Sequence, residues 1–177
     1  YEFLYGIPGT IAGAVSMNAG AFEREIMPYV HSLDLLDENG MIYTLKNNEM
    51  SYSYRTSNID KKSIIISIKL LKQTLNFDVN RLNLLNEKRK ISQPINQLSC
   101  GCIFKNPSGY HAAKLIDSAQ LKGSRAGGIY ISHKHSNYFI NDGSGTYKDF
   151  LVLLRRVKEV IISSFNVKLD EEVILLK

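Results

Sequence analysis

The sequence predicts an α+β fold with two domains and a helical segment between them. Short strand-like runs dominate residues 32–72, and a helical pattern follows over residues 78–90. Residues 93–177 then mix helical patterns with further strand-like runs. With 177 residues, 44% of them hydrophobic and 22% charged, the chain has the composition of a globular protein of one or two domains. We therefore expect a domain boundary within residues 74–92.

Charge and hydropathy exclude several classes of protein. The net charge of +5 is spread among carboxylates, with one basic cluster at residues 86–90 (NEKRK), so we expect no nucleic-acid partner. The strongest apolar stretch, residues 63–71 (SIIISIKLL), is short and carries a lysine, so no membrane helix is expected. No charged-then-apolar leader follows Tyr1, and two cysteines do not make a disulfide framework. These features predict a cytoplasmic protein without a membrane partner.

Two strand-forming regions are predicted in the first domain, residues 1–75. Residues 32–45 (SLDLLDENGMIYTL) place apolar runs on either side of Asn39-Gly40, a pair that accepts the positive φ angles of a tight hairpin turn. Residues 62–72 (KSIIISIKLLK) are dense in β-branched side chains, which predicts a mostly buried strand.

A surface helix is predicted over residues 78–90. Its apolar positions have helical spacing: Val79, Leu82, Leu84 and Leu85. Basic residues at its end interact favourably with the helix dipole, and Pro94 stops the helix. We assign residues 76–92 to a helical linker and residues 93–177 to the second domain.

Two helices are predicted in the second domain. Within residues 108–123, flanked by Ser108 near the start and Gly123 past the end, one face carries Ala112, Leu115, Ile116 and Ala119. Residues 146–165 open with Thr146 and Asp149 at capping-box spacing and continue with a single apolar stripe: Phe150, Leu153, Leu154, Val157, Val160 and Ile161.

Three strands complete the second domain. Residues 127–132 (GGIYIS) and residues 137–141 (NYFIN) have strand-like composition. A final strand is predicted over residues 171–176 (EEVILL), where it closes the chain.

Residues 5–22 (YGIPGTIAGAVSMNAGAF) form a glycine-rich segment. Glycines let a backbone approach a ligand closely and aim N–H groups at phosphate oxygens. The spacing matches neither the dinucleotide pattern G-x-G-x-x-G nor a Walker loop. Composition alone leaves a site for a phosphate-bearing cofactor and a plain glycine-rich turn equally open.

Both cysteines lie in one short run, residues 98–107 (LSCGCIFKNP). Cys100 and Cys102 are too close in sequence for good disulfide geometry. The residue types leave open an inert packed pair, a thiol that acts as an acid, and a zinc site completed by His133 and His135. The C-x-C spacing is tighter than the usual C-x₂₋₄-C of zinc sites, which disfavours the metal.

Five motifs follow one another along the chain: GIPGTIAGAVSMNAGAF (6–22), YRTS (54–57), GCIFKNP (101–107), SHKHSNYFIN (132–141) and LDEEV (169–173). In this order they resemble the MurB family of UDP-N-acetylenolpyruvoylglucosamine reductases. The resemblance covers nearly the whole chain. It implies that residues 1–75 are the C-terminal part of a FAD-binding domain of the vanillyl-alcohol-oxidase-like type. Residues 93–177 are then a substrate-binding domain of the MurB type.

The resemblance also implies an activity. Enzymes of this family bind FAD, take hydride from NADPH and act as UDP-N-acetylmuramate dehydrogenases, because they reduce UDP-N-acetylglucosamine enolpyruvate to UDP-N-acetylmuramate in peptidoglycan synthesis. Family chains usually carry a further FAD-binding portion before the GIPGT motif. We therefore expect residues 1–177 alone to bind FAD weakly. The sequence carries no signal for an oligomeric state.

The resemblance assigns contacts to FAD within the glycine-rich segment: Gly6, Ile7, Pro8, Gly9, Thr10, Gly13, Ala14, Asn18, Ala19 and Gly20. It assigns catalysis to Arg55, Cys102 and Glu172. A guanidinium suits the substrate carboxylate because its planar fork donates two hydrogen bonds at once. A neutral thiol, with an ordinary pKa of about 8.5, still holds a proton at pH 7 for a carbanion next to that carboxylate.

The choice of Glu172 over its neighbour Glu171 follows from the register of the LDEEV motif, since successive strand residues face opposite sides. The resemblance suggests substrate contacts from Tyr54, Lys90, Asn106 and His135, and no metal.

Two departures from the family pattern lie in the glycine-rich region, where Ala12 and Glu23 stand at positions that are commonly glycine. Glu23 places a carboxylate near a loop expected to accept phosphate. Two alternatives to the reductase remain open at this point: binding of a UDP-sugar without flavin activity, and a module stabilised by zinc.

Overall fold

The computed structural model describes residues 1–72 and 78–176 and divides the chain into two structural units, Tyr1–Glu87 and Lys88–Lys177. The division falls within helix α2 (Val79–Ser92). The boundary expected between the first domain (1–75) and the helical linker (76–92) lies outside the described residues. Among the described residues, no helix is both long and apolar enough to cross a bilayer.

The first unit is organised around a three-stranded antiparallel sheet. Strand β3 (Val30–Leu36) lies in the centre, between β4 (Ile42–Lys46) and β7 (Ile64–Leu70). The hairpin predicted at Asn39-Gly40 is confirmed. Gly40 has a φ of +79°, and the Asp37 carboxylate accepts hydrogen bonds from the backbone N–H groups of Asn39 (2.9 Å) and Met41 (2.8 Å).

The prediction that residues 62–72 form a strand is confirmed, but the prediction that this strand is mostly buried is wrong. Strand β7 is at the edge of the sheet, and Ile64 and Ile66 are 62% and 48% exposed. The intervening Ile65, together with Ile68, packs on the core of the first unit. An antiparallel sheet covered on one face exposes alternate side chains on the other, even when every side chain is apolar.

A short helix, α1 (Ile11–Ser16), and a small hairpin precede this sheet. The hairpin pairs β1 (Gly20–Ala21) with β2 (Arg24–Glu25) through a two-residue loop, in which Phe22 and Glu23 have φ angles of +53° and +62°. Such loops favour glycine, because only glycine adopts positive φ without a steric cost. This conformation gives a physical reason for the glycine commonly found at the position of Glu23.

The core of the first unit combines side chains from α1, the central strand and the connections between them. Its buried members are Val15, Ile26, Met27, Val30, Leu33, Leu35, Met50 and Ile59.

Helix α2 confirms the helix predicted over residues 78–90. It ends two residues before Pro94, and its last turn carries Arg89 and Lys90.

The second unit packs two helices and a three-stranded antiparallel sheet around one core. The sheet has the order β10 (Phe139–Asn141), β9 (Ile129–Ile131), β8 (Arg125–Ala126), which confirms the strands predicted in residues 127–141. The buried core is Ile103, Phe104, Ala112, Leu115, Ile116, Leu121, Ile129, Ile131, Phe139, Leu153, Leu154, Val157, Ile161 and Leu169.

Helix α4 (Tyr147–Phe165) confirms the strongest helical prediction. The Thr146 hydroxyl accepts from the Asp149 N–H at 3.2 Å, and the Asp149 carboxylate accepts from the Thr146 N–H at 2.9 Å. This reciprocal pair is the predicted capping box. The apolar stripe faces the core, with Phe150 and Val160 partly buried at its margins.

Helix α3 (Ala112–Ser118) is shorter than predicted, because residues 108–111 are not helical. The Asn106 side-chain oxygen accepts from the Ala112 N–H at 3.0 Å, so it satisfies a donor at the start of the helix. Gly123, at a φ of +76°, comes well after the helix end.

The final strand predicted over residues 171–176 is wrong. Of these residues, all of which the structure describes, only Glu171 forms a bridge, to Phe104, and Ile174 and Leu176 are 87% and 83% exposed. Extending this antiparallel pairing toward residue 176 would require extended backbone in residues 99–101. Gly101, at a φ of +84°, interrupts it.

Candidate active site

The segment that carries Cys102 is tied down on both sides. The Ile103 N–H donates to the Asn137 backbone oxygen at 2.9 Å, and the Glu172 N–H donates to the Ile103 oxygen at 2.8 Å. The Asn137 side chain clamps the next residue, because its oxygen accepts from the Phe104 N–H (3.0 Å) and its amide donates to the Phe104 oxygen (2.8 Å). Ile103, Phe104 and Asn137 are all buried. Two separate parts of the sequence, around Asn137 and Glu172, therefore fix the backbone next to Cys102.

Tyr138 lies directly opposite Cys102 in an antiparallel bridge. The half-buried Tyr138 phenol has a pKa well above its ordinary value, first because of burial and then because of the neighbouring Cys102. The Arg89 guanidinium opposes this rise, while a side-chain hydrogen bond with Cys102 and the Glu172 carboxylate add to it. Cys102, Tyr138, Arg89 and Glu172 thus form one cluster within the second unit, which we call the Tyr138 cluster.

The two adjacent glutamates have different surroundings. The Glu171 carboxylate pairs with Lys158, whose Nζ lies 2.6 Å from Oε1. Burial is the largest single influence and acts to raise the pKa of Glu171, but the hydrogen bond from Lys158, a backbone hydrogen bond and the Lys158 charge together lower the pKa overall. Glu172 instead contributes negative charge at the Tyr138 phenol. The assignment of Glu172 rather than Glu171 stays a prediction, and this difference supports it.

Arg89 is a member of the Tyr138 cluster that sequence reasoning missed. It is 6% exposed, and burial lowers its pKa. Its guanidinium also donates to the Gln93 side chain at 3.3 Å. The basic run at residues 86–90 was interpreted as a helix end interacting with the dipole. However, Arg89 follows Leu82 and Leu85 at helical spacing, which places it on the same side of α2 as these apolar residues. This spacing was the sequence signal that Arg89 is buried.

His135 packs against the Tyr138 ring, with ring centroids 4.8 Å apart. Its Nδ1 accepts from the Asn137 N–H at 3.3 Å. Burial, more than the nearby Lys122, lowers the pKa of His135, so the imidazole is neutral at pH 7. The structure therefore places this predicted substrate residue beside the Tyr138 cluster.

Lys90, another predicted substrate residue, lines an open pocket of the second unit. The Lys134 ammonium donates to the Lys90 backbone oxygen at 2.5 Å. The cavity measures about 470 Å³ and is bordered by Lys90, Pro94, Ile95, Asn96, Gln97, Tyr130, Ser132, His133 and Lys134. Two lysines and an aromatic ring beside an open cavity suit an anionic ligand that carries a flat ring. We call this cavity the lysine pocket.

The zinc alternative receives no support. Across residues 1–72 and 78–176, no three His, Cys, Asp or Glu side chains are arranged to hold a metal ion. Cys100 and Cys102, both within the described residues, are not joined in a disulfide. The His133 ring packs against Gly123, where an added Cβ would meet it at 2.6 Å. Desolvation raises the pKa of the Cys100 thiol, although that residue keeps exposed surface.

Arg55 lies in the first unit, in the two-residue turn between β5 (Tyr52–Ser53) and β6 (Thr56–Ser57). Its φ is +54°, a conformation that costs a non-glycine residue about 1 kcal/mol or more. The guanidinium donates to the Gly20 oxygen at 2.7 Å and lies over the Tyr54 ring at 5.0 Å. These contacts bring two predicted site residues, Arg55 and Tyr54, to the end of the glycine-rich segment.

The glycine-rich segment presents bare backbone at its start. Gly9, at a φ of +132°, has no heavy atom within 4 Å of the position that a Cβ would occupy. Thr10 is exposed, and its hydroxyl accepts from the Gly13 N–H at 3.1 Å. The following part is internal. Asn18 is fully buried, and its side chain bonds the Glu25 carboxylate (2.8 Å), the Ser53 oxygen (2.9 Å) and the Met27 N–H (3.2 Å).

Known proteins resemble this chain in sequence and in structure. Residues 93–176 match the model of the UDP-N-acetylenolpyruvoylglucosamine reductase C-terminal domain. A protein named UDP-N-acetylenolpyruvoylglucosamine reductase from Clostridium tetani is 42% identical over 99% of this chain, and one from Fusobacterium nucleatum is 38% identical over 99%. The chain spans 58% and 63% of their lengths. The crystal structure of this reductase (MurB) from Thermus caldophilus superposes with a TM-score of 0.82 at 32% identity, covering 97% of this chain and 62% of that one.

Proposed function

We propose that this chain, whose residues 93–176 match the C-terminal domain of the UDP-N-acetylenolpyruvoylglucosamine reductases, serves the flavin-dependent reduction of UDP-N-acetylenolpyruvoylglucosamine to UDP-N-acetylmuramate. NADPH is the proposed hydride source and FAD the proposed carrier.

The observation that carries this proposal is the placement of Cys102 and Glu172 beside one phenol in the Tyr138 cluster. Hydride addition to an enolpyruvyl ether leaves negative charge on the carbon next to the carboxylate, and that carbon must receive a proton. We assign this proton to Cys102, because an ordinary thiol, with a pKa of about 8.5, holds its proton at neutral pH and the backbone next to Cys102 is fixed. Glu172 is the proposed partner of the developing enolate, which its carboxyl group stabilises as the neutral acid or through a bridging water molecule.

The glycine-rich segment fits a phosphate-bearing cofactor. The bare, exposed backbone around Gly9 and Thr10 lets diphosphate oxygens approach N–H groups closely. When bound, FAD supplies the hydride chemistry. The residues proposed to hold it are Gly6, Ile7, Pro8, Gly9, Thr10, Gly13, Ala14 and Gly20, while the buried Asn18 and Ala19 shape the loop from inside.

Arg55 and the lysine pocket suit the two anionic ends of the substrate. The Arg55 guanidinium is held by Gly20 and Tyr54, so it loses little further freedom when it binds a carboxylate. The lysine pocket offers Lys90 and Lys134 for the diphosphate and the Tyr130 ring for the uracil. Asn106, whose oxygen caps α3, is proposed to contact the sugar part.

The two neighbouring cysteines provide the test. In the native protein loaded with FAD, Cys102→Ala should slow single-turnover reduction of substrate by about a hundredfold or more, while Cys102→Ser, which keeps an O–H donor, retains substantial turnover. Cys100→Ala is the matched control and should leave the rate nearly unchanged. NADPH-driven flavin reduction should be the same in all variants. A normal rate of product formation in Cys102→Ala would contradict the assignment of the acid.

A second candidate function, binding of a UDP-sugar without flavin activity, is favoured by the lysine pocket lying wholly within the second unit. Calorimetric titration with UDP tests it. Binding that Lys134→Ala weakens, in a protein that never reduces the enolpyruvyl substrate with NADPH and FAD, would favour this function over the reductase.

A further inference from the structure

We propose that Tyr138 is a positioning residue for Cys102: its hydroxyl donates a hydrogen bond to the sulfur, directs the S–H toward the substrate and stabilises the thiolate left after proton transfer. This inference rests on the proposed function, in which Cys102 is the acid.

The geometry brings the two side chains together. Residues directly opposite in an antiparallel bridge project to the same face, with Cβ atoms about 4.5–5.5 Å apart. The Tyr138 backbone is fixed on both sides, because its N–H donates to the His135 oxygen (3.0 Å) and its oxygen accepts from the Ser132 N–H (2.9 Å). The His135 ring, 4.8 Å from the Tyr138 ring, restricts its rotation. The two side chains therefore project to the same face from fixed, directly opposed backbone positions.

The direction of the hydrogen bond follows from the chemistry of the two groups. A thiolate has no proton to donate, so after proton transfer the bond runs from the Tyr138 O–H to the sulfur. We assign the same direction before transfer, because a thiol is a weak donor and a phenol is a stronger one. The contribution of this bond raises the pKa of Tyr138, as expected for a phenol that donates.

A proton relay from the Tyr138 phenol to the Cys102 sulfur is unfavourable. An ordinary thiol has a pKa of about 8.5 and an ordinary phenol about 10, so a phenol whose pKa is raised holds its proton more tightly than a thiolate would. When the Cys102 S–H bond breaks and a C–H bond forms on the substrate, the negative charge therefore stays on the sulfur. The Tyr138 O–H remains intact and hydrogen-bonds the thiolate. Solvent supplies the proton that restores the thiol.

Two charged groups near Cys102 and Tyr138 also affect the stability of a thiolate at Cys102. At the Tyr138 phenol, the charge of Arg89 lowers the pKa and the charge of Glu172 raises it. By the same rule, a cation favours and an anion disfavours a thiolate beside that phenol, so the two charges oppose each other. The neutral Tyr138 donor adds stabilisation for the thiolate without adding a charge.

The first test follows Cys102 by its reactivity and needs no enzymatic turnover. The chain holds two cysteines, so a Cys100→Ala background leaves Cys102 as the reactive thiol. The rate of alkylation by iodoacetamide is measured against pH. Tyr138→Phe should move the midpoint of this profile upward by about one unit, since a donor to the thiolate is lost. Tyr147→Phe, which alters an exposed phenol at the start of α4, should not move it.

The second test asks whether Tyr138 acts through the sulfur. Tyr138→Phe should slow single-turnover substrate reduction about tenfold to a hundredfold, the value of a hydrogen bond to a charged group. In a Cys102→Ala background the same change should have almost no effect. An equal loss in that background, or an alkylation midpoint that Tyr138→Phe leaves in place, would overturn the proposal. The proposed function fails separately, if Cys102→Ala turns over normally while the alkylation midpoint still shifts.

Discussion

Replacing Asn137 by alanine should destabilise the second unit strongly, because this side chain satisfies both backbone polar groups of a buried residue. Asn137 and Phe104 are 3% and 1% exposed, and their two hydrogen bonds measure 3.0 and 2.8 Å. Each buried group left without a partner costs about 1–3 kcal/mol. Water that enters beside the truncated side chain recovers part of this, so we expect a loss of about 3 kcal/mol. That is more than a hundredfold in the unfolding equilibrium.

The assay combines a global and a local measurement. The chain has no tryptophan, so urea unfolding is followed by far-UV circular dichroism rather than by tryptophan fluorescence. Hydrogen exchange of the Phe104 amide then reports on the clamp itself and should accelerate by at least about tenfold. Asn96→Ala, at an exposed asparagine of the same unit, is the matched control and should change stability by less than about 0.5 kcal/mol.

The reasoning would be refuted by a small effect at the buried position. A loss below about 1 kcal/mol in Asn137→Ala, together with unchanged protection of the Phe104 amide, would mean that other groups satisfy the backbone there. Asn137→Asp separates the two bonds. It keeps an acceptor for the Phe104 N–H but replaces the amide donor, so the Phe104 oxygen loses its partner and destabilisation should persist.

Three further expectations concern single residues. Glu23→Gly should stabilise the first unit by about 1 kcal/mol in thermal unfolding, because glycine removes the cost of a φ of +62°. The stability of the second unit should fall as the pH drops below 6.5. The pKa of His135 is lowered in the folded state, so the contribution of this residue to folding stability is complete above pH 6.5 and is lost when the folded protein is protonated. His135→Gln should flatten this part of a pH series of urea midpoints. Glu172→Gln should slow substrate reduction by at least about tenfold in stopped-flow assays. Glu171→Gln should mainly lower the stability of the protein, because it loses the ion pair with Lys158. Equal rates of reduction in the two variants would count against the assignment of Glu172.

The parts of the fold that could be predicted depend on local signals. The turn at Asn39-Gly40 needs positive φ within two residues, and the start of α4 needs Thr146 and Asp149 three residues apart. Neither signal depends on residues that are distant in sequence. The exposure of β7 does, because a strand lies at the edge of a sheet only when no further strand pairs with it. The conformation of residues 171–176 also does, because it depends on the backbone of Gly101 opposite.

The candidate site divides in the same way. Cys102 and Glu172 stand in short motifs that can be recognised one at a time. Tyr138 and Asn137 gain their roles from pairing with residues more than thirty positions away, and Arg89 from the side of α2 that it occupies. A tyrosine in a strand-like run carries no indication that a thiol lies opposite it. The sequence therefore indicated the residues that we propose to react, but not the residues that position them.

Stability and chemistry are linked at this site through one backbone segment. The residues next to Cys102 are held by Asn137 on one side and by Glu172 on the other, and the Cys102 side chain meets the phenol of Tyr138, the next residue after Asn137. A shift in either neighbouring segment therefore moves the thiol, its hydrogen-bond donor, or both. A misplacement of about 1 Å costs an enzyme roughly a hundredfold in rate. Loosening the Asn137 clamp should consequently slow proton transfer even in molecules that remain folded.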